Sequence, residues 1–265
     1  MLVHPNIDPV AVHLGPLQIH WYGLMYLAAF LFGYWIFRRQ AVLGLTPIKP
    51  EQVEDVLFWT AMGVVLGGRI GYVLFYGWEN EMHDPLWVFK VWQGGMSFHG
   101  GFLGVFLSAY LFSRKYKISL GAYLDTLALS VPIGLGFGRI GNFIGQELWG
   151  RPTDLPWAMI FPRDPSGLPR HPSQLYEAFL EGIVLFVILY LYTRKPRPAW
   201  SAGALFLIFY GIFRFMVEFV REPDAQIGFD LFGWMSRGQE LCVPMIIGGI
   251  ILWFWSNKHA TLNKG

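Results

Sequence analysis

The stretch GFGRIGNFIGQELWGRP, Gly136 to Pro152, closes a long apolar run. Glycines end the run, and Arg139, Asn142 and Glu147 then follow in quick succession. An unpaired charge in or beside a membrane-length apolar segment is expensive and usually marks function. The tetrapeptide GRIG occurs twice, at Gly68 to Gly71 and at Gly138 to Gly141, both times in apolar surroundings. The flanks of the two copies do not match, so no internal repeat is inferred.

Composition widens this reading to the whole chain. Of 265 residues, 54% are hydrophobic and only 14% are charged, against about 25% charged in a soluble domain. Together with 12 Trp, 23 Phe and 31 Gly, this predicts an all-α integral membrane protein. Length alone would suggest about two soluble domains; a single membrane domain over 1–265 is simpler. A net charge of +2 without a basic, aromatic-laced patch implies no nucleic-acid partner. The lone cysteine, Cys242, excludes an intramolecular disulfide framework and a cysteine-based metal cluster. No metal site is expected. With no Lys or Arg before Arg38, the first apolar run lacks the basic start of a signal peptide and is expected to be retained.

A bilayer core takes about 20 apolar residues per helix. Seven stretches qualify, near residues 20–37, 56–76, 96–112, 120–137, 175–192, 202–219 and 241–255. Short loops after the odd-numbered spans carry Arg38, Arg39 and Lys49; Arg114, Lys115 and Lys117; Arg194, Lys195 and Arg197; and Lys258 and Lys264. The opposite loops hold Lys90, Arg139, Arg151, Arg163, Arg170, Arg221 and Arg237, mostly in long segments where the positive-inside rule is weak. The expectation is a seven-transmembrane-helix bundle with its N-terminus outside and its C-terminus in the cytoplasm. Gly63, Gly67 and Gly71 are spaced as GxxxGxxxG, and Gly134 and Gly138 repeat the interval; such spacing predicts close helix packing. The segment 138–174 contains Pro152, Pro156, Pro162, Pro165, Pro169 and Pro172, which argues against a long helix. It reads as a Pro-rich extracytoplasmic cap with a mobile tip at RDPSGLPRHP.

Placed by depth at about 1.5 Å per residue, the polar groups of the spans converge. His20, Tyr22, Arg69, His99, Arg139, Asn142, Glu147, His171, Tyr176, Glu177, Arg214 and Glu218 fall in the outer leaflet or at its surface, and Asp125 alone is deep on the inner side. A polar chamber open to the outer leaflet follows. Its arginines suit a phosphate, which guanidinium binds bidentately, and a histidine there can move a proton near neutral pH. Blander readings stand beside each. Arg214 and Glu218 could neutralise each other at i,i+4. Arg69 could snorkel. His99 could be structural, Glu147 and Asn142 could brace a loop, and His20 and Trp21 suit an aromatic belt.

GRIGNFIGQELWG resembles the signature of the bacterial prolipoprotein diacylglyceryl transferases. HWYGLMY, GGRIGYVLFY, GGMSFHGG, RHPSQLYE, RKPRP and RFMVEFVREPDAQ resemble further blocks of that family, in its order. The resemblance covers nearly the whole chain. It implies transfer of the sn-1,2-diacylglyceryl group of phosphatidylglycerol to the lipobox cysteine of a preprolipoprotein signal peptide, with release of glycerol phosphate. It also implies a multi-pass protein of the bacterial inner membrane, with membrane lipid as partner and no cofactor. Carried over by motif, the functional residues are Tyr22, His99, Arg139, Asn142, Glu147, Gly150, Arg214 and Glu218. Arg69 and His171 join the substrate-binding candidates by depth. Gly145 stands where the family signature usually has asparagine, and Gln146 is the candidate to supply the missing amide.

On this reading the active site faces the outer leaflet. Arg139 binds the lipid phosphate and Arg214 helps in the transition state. His99 is general base toward the thiol, or orients it. Glu147, Asn142 and Glu218 hold the arginines, and Tyr22 contacts the headgroup. The competing reading is a phospholipid transporter or flippase with an outer-leaflet headgroup site. It fits less well, because a translocation path needs polar groups in both halves. An intramembrane protease lacks its motifs: there is no HExxH.

Overall fold

Apolar runs of membrane length must satisfy their own backbone polar groups, and helices do so. The computed structural model, which describes residues 2–15, 17–76, 86–90, 94–222 and 235–262, is accordingly mostly helical. Its helices are α1 (Trp21–Val42), α2 (Val53–Tyr76), α3 (Phe98–Tyr116), α4 (Leu120–Gly145), α5 (Ser173–Tyr192), α6 (Ser201–Glu218) and α7 (Arg237–Leu262). Each overlaps one apolar stretch read from the sequence. Among the described residues, five helical runs are long and apolar enough to cross a membrane: Pro50–Phe75, Leu120–Gly145, Ser173–Tyr192, Ser201–Glu218 and Arg237–His259. Lys264 and residues 223–226 of the RFMVEFVREPDAQ block lie outside the described residues.

The short strands are β1 (Leu2–Val3), β2 (Val10–Leu14), β3 (Leu17–His20), β4 (Met159–Ile160) and β5 (Pro169–Arg170). Strands β2 and β3 form an antiparallel hairpin leading into α1. Strand β4 pairs in parallel with β1 and antiparallel with β5.

The chain divides into two compact units, Met1–Ile36 with Asp125–Gly265, and Phe37–Leu124. In the first, Ile36, Leu129, Leu185 and Leu189 form a buried core lined by Phe32, Phe186, Phe209 and Phe213. Mid-way along α5, Ala178–Val184 is π-helical. Gly182 of that stretch lies against Gly136 of α4, where a Cβ on Gly182 would stand 2.9 Å from Gly136 Cα. Asp125, the one acidic group deep on the other side in the sequence reading, has a structural task. Its Oδ1 accepts the Gly203 amide at 2.7 Å, satisfying a donor that the first turn of α6 leaves over.

The boundary of the Pro-rich segment differs from expectation. Residues 138–145 are the last turns of α4 rather than cap. No proline falls between Ile133 and Arg151, so nothing stops the helix until Gln146 turns to φ +54°. Beyond it, residues 146–172 fold back over the N-terminal strand. His4 is buried between Phe143 and Phe161, with ring centroids 4.7 and 5.6 Å away. Burial pushes its imidazole pKa down, with Arg163 adding to the effect against a hydrogen bond involving the Phe143 backbone. The Gln146 amide is committed here: Nε2 donates to Asn6 Oδ1 at 2.9 Å, and Oε1 accepts the Arg163 amide at 3.0 Å.

In the second unit, α2 and α3 cross at glycines. A Cβ on Gly67 would lie 2.4 Å from Gly100 O, and one on Gly104 would lie 2.0 Å from Gly63 O. The GxxxGxxxG face of α2 thus meets Gly100 and Gly104 of α3 with the backbones nearly touching, as small residues permit. Its apparent echo does not pack this way, since nothing lies within 4 Å of a Cβ on Gly138. Tyr116 donates to the Asp55 carboxylate, and the Tyr123 and Thr60 hydroxyls are 3.3 Å apart.

A methyl group at Gly104 has only backbone to displace. Gly104→Ala is therefore expected to destabilise the protein by about 1–3 kcal/mol. Gly248→Ala, where nothing stands within 4 Å, should be neutral or slightly stabilising. Thermal unfolding of both variants in detergent checks the contrast.

Candidate functional site

Arg139 lies within the extended end of α4, two positions beyond Phe137, and Arg214 in the last turns of α6. Both reach Glu177 of α5. The Arg139 Nε pairs with Glu177 Oε2, and Arg214 Nη1 stands 3.2 Å from Glu177 Oε1. Arg214 Nη2 pairs with Glu218 Oε2 at 2.9 Å, the i,i+4 partner considered from sequence. One turn deeper on α5, Glu181 Oε1 is 3.9 Å from Arg214 Nη1. Arg221, just past α6, completes the network, with Nη1 3.4 Å from Glu218 Oε1 and Nε 3.9 Å from Glu177 Oε1. The side chains of Glu177, Glu181 and Glu218 are 0–4% exposed, those of Arg214 and Arg221 13%, and that of Arg139 21%. Arg139 is therefore the guanidinium of this group most open to a ligand.

Asn142 and Glu147 continue the chain of polar groups outward. Arg139 Nη1 donates to Asn142 Oδ1 at 3.5 Å, and Asn142 Nδ2 to Glu147 Oε2 at 3.4 Å. Tyr22 opens α1 with its ring beside Gly141, where an added Cβ would lie 3.0 Å from the ring. Its hydroxyl is 3.1 Å from that of Tyr26. These contacts place Asn142 between a guanidinium and a carboxylate.

Gly150 has a backbone reason for being glycine. It forms an antiparallel bridge with Arg221, its amide donates to His171 O at 2.9 Å, and a Cβ would lie 2.5 Å from Val220 O. Arg151 fastens the same seam, its Nε donating to Arg221 O at 2.9 Å and its Nη2 to Glu218 O at 3.3 Å. The segment after α4 is thereby zipped to the end of α6, at Glu218, and to Arg221 just beyond it. His171 Nδ1 is 3.3 Å from the Tyr176 hydroxyl, which also accepts from Trp157 Nε1 at 2.8 Å. Burial pushes the His171 pKa down, and nearby Arg151 adds to the effect, so a neutral imidazole prevails at pH 7.

Two candidates belong to the second unit. His99 is exposed in the first turn of α3, whose N-cap Ser97 accepts the Gly100 amide at 3.2 Å. Arg69 is buried, and its donors go to main-chain carbonyls: Nε to Val88 O at 2.9 Å, Nη1 to Gly94 O at 2.5 Å, Nη2 to Trp87 O at 2.5 Å. Its guanidinium also lies 4.2 Å from the Trp87 ring centroid. The group clamps Trp87, Val88, Gly94 and Gly95, neither snorkelling nor unpaired.

Reading from sequence did not place Glu181 or Arg221 in the site, and gave Glu177 only a position. The signal was present: Glu177 and Glu181 are i,i+4 carboxylates inside an apolar run, and Arg214, Glu218 and Arg221 continue one face of α6. Among the described residues, no group of three or more His, Cys, Asp or Glu is placed to hold a metal ion.

Helices of membrane length and a guanidinium–carboxylate network buried at their ends define a class: a multi-helix membrane protein with an internal arginine site. The family described as prolipoprotein diacylglyceryl transferase matches residues 9–255. The chain is 56% identical over 265 residues to the phosphatidylglycerol–prolipoprotein diacylglyceryl transferase of Pseudomonas entomophila (strain L48), with 98% of each chain covered. The enzyme of that name from Azotobacter vinelandii is 55% identical over 260 residues, again with 98% of each covered. That from Teredinibacter turnerae is 55% identical over 269 residues, covering 98% of this chain and 94% of the relative. The chain belongs to the prolipoprotein diacylglyceryl transferase family.

The tip of the loop, read as mobile, is braced. Asp164 accepts from the Ser166 amide at 3.0 Å, the Ser166 hydroxyl at 2.6 Å and the Arg170 Nε, while Arg170 Nη1 reaches Glu222 at 2.8 Å and Gly150 O at 3.2 Å. Burial opposes ionisation of Asp164, but the Ser166 and Arg170 hydrogen bonds outweigh it and hold its pKa below the ordinary value. A depressed carboxylate pKa stabilises the fold above the unfolded value and loses that contribution as pH falls through the folded one. Hydrogen exchange of residues 163–170 is expected to accelerate as pH drops below about 4, after correction for intrinsic rates. Asp164→Asn should show that faster exchange already at pH 7.

Proposed function

We propose that this chain transfers the sn-1,2-diacylglyceryl group of phosphatidylglycerol to the lipobox cysteine of preprolipoprotein signal peptides. The reading places it in the bacterial inner membrane as one membrane domain, 1–265, with seven spans. The N-terminus is outside, the C-terminus is cytoplasmic, and the site faces the outer leaflet. Family membership supports the reaction. The observation that carries the site is the pair Arg139 and Arg214 held on one carboxylate, Glu177, with Arg139 the more exposed.

The chemistry is a substitution at carbon. The thiol sulfur forms a bond to the glyceryl carbon, the C–O bond to phosphate breaks, and its electron pair stays on the phosphate oxygen. A thiolate is the better nucleophile, and the charge growing on the leaving phosphate needs donors already in place. Arg139 binds the phosphate and Arg214 stabilises the charge as it develops, while Glu218, Glu147 and Asn142 orient them. Tyr22 contacts the headgroup. His99 takes the thiol proton or orients the thiol. Gly150 and His171 shape the wall through the seam to α6, with the Pro-rich segment as extracytoplasmic cap. Arg69, a substrate-binding candidate by depth, has its donors on main-chain carbonyls and is given no contact with substrate. Substitution involves no net oxidation, so the reaction itself calls for no redox cofactor.

Arg139→Ala should abolish transfer and leave the protein folded, because Glu177 keeps Arg214 at 3.2 Å and Arg221 at 3.9 Å. The assay is a diacylglyceryl mass gain on a cysteine-containing lipobox peptide incubated with purified protein and phosphatidylglycerol. Wild-type turnover in this variant would remove Arg139 from the site. For His99→Gln, transfer is expected to fall by about 10²–10⁴-fold; undiminished rates from pH 6 to 9 would exclude a base role.

A further inference from the structure

The buried network has a charge balance that an anionic substrate must disturb. Arg139, Arg214 and Arg221 face Glu177, Glu181 and Glu218. With all six ionised the charges cancel, and a phosphodiester brings one further negative charge into a water-poor site. We propose that binding of the anionic phosphate headgroup is coupled to uptake of one proton. Glu181, sealed in the π-helical stretch of α5, is the residue that holds it. This inference rests on the transferase reading above.

Geometry singles out Glu181. Its carboxylate is fully buried, and neither oxygen accepts a hydrogen bond among the described residues. Its ion-pair contact, Arg214 Nη1, is 3.9 Å away and stands closer to Glu177, at 3.2 Å. The other groups facing it are less suited. On its own helix, Glu177 is held by Arg139, Arg214 and Arg221. On α6, Glu218 is held by Arg214 and by Arg221, and Tyr210, like Cys242 on α7, is of a type ordinarily neutral at pH 7. The arginines keep their protons throughout. When a headgroup draws Arg139 and Arg214 toward itself, Glu181 loses the little compensation it has. A proton from solvent then replaces the attraction, and it returns to solvent when glycerol phosphate leaves. Glu181 makes no bond to substrate on this account, so it is a positioning residue whose charge state sets headgroup affinity.

The test measures diacylglyceryl transfer to a lipobox peptide over about pH 5 to 9, a range wide enough for an ordinary or a buried glutamate, with phosphatidylglycerol varied. In the wild type, KM for phosphatidylglycerol should rise about tenfold per pH unit once Glu181 ionises. Glu181→Gln, permanently neutral, should hold the low-pH KM across the range with kcat little changed. A variant that keeps the wild-type slope, or loses kcat equally at every pH, overturns the proposal. Should the variant fail to fold, calorimetry of wild-type protein with short-chain phosphatidylglycerol, in buffers of unlike ionisation heat, replaces it. Uptake approaching one proton per headgroup supports the coupling, and none overturns it. Absence of transfer by wild type at every pH would instead sink the transferase reading, while the calorimetric result still decides the coupling.

Discussion

Everything at the site depends on keeping guanidinium groups charged where water is scarce. Placing one arginine at the centre of a membrane helix costs about 2.5–3.5 kcal/mol on insertion scales. Three arginines and three glutamates at one end of α4, α5 and α6 would not be tolerated singly. Glu177 resolves this by serving Arg139, Arg214 and Arg221 together, and Glu218 by serving Arg214 and Arg221. Shared carboxylates leave each arginine partly committed. A phosphate with several acceptor oxygens can therefore recruit them without first breaking a dedicated pair.

Backbone proximity is the second constraint, and it serves the first. Glu218 and Arg221 lie at the end of α6 and just beyond it, where a chain would ordinarily fray. The bridge between Gly150 and Arg221, with Arg151 donating to Arg221 O and Glu218 O, fixes that end. Only a residue without Cβ fits at 150, with Val220 O and His171 so close. The glycine's contribution to the site is thus positional: it brings the segment after α4 near enough to lock the carboxylate-bearing end of α6.

Helix positions were legible because apolar runs of this length leave the backbone few alternatives. Helix ends were less so. Proline density suggested a cap from residue 138, yet the prolines begin at Pro152 and α4 continues through Arg139 and Asn142 to Gly145. That continuation aims Arg139 at Glu177. Within the ion-pair network, Arg139, Arg214 and Glu218 lie in motifs that the sequence displays, while Glu181 does not. A glutamate surrounded by Phe179, Leu180, Ile183 and Val184 announces no motif. Its partners sit on other helices, and the π-helical turn that sets its direction leaves no mark in hydrophobic periodicity. Gln146 shows the converse: a plausible amide by position, whose side chain braces Asn6 and Arg163.

The two GRIG tetrapeptides show how far local sequence decides role. In both, glycines flank an arginine on a helix, and another segment comes close at Gly68 and Gly71 in the first copy and at Gly141 in the second. Arg69 meets the carbonyls of Trp87, Val88 and Gly94. Those dipoles satisfy its donors without cancelling its charge, and the result is a clamp on a loop. Arg139 meets a carboxylate, which cancels its charge, and an amide oxygen, which accepts from one donor, and the group stays partly exposed. The difference lies in what the neighbouring segment presents, carbonyls of Trp87, Val88 and Gly94 or acidic side chains from α5. On the proposed function, the arginine suited to lipid phosphate is the one paired with exchangeable anions, because an incoming anion can substitute for a carboxylate far more readily than for a cage of main-chain oxygens.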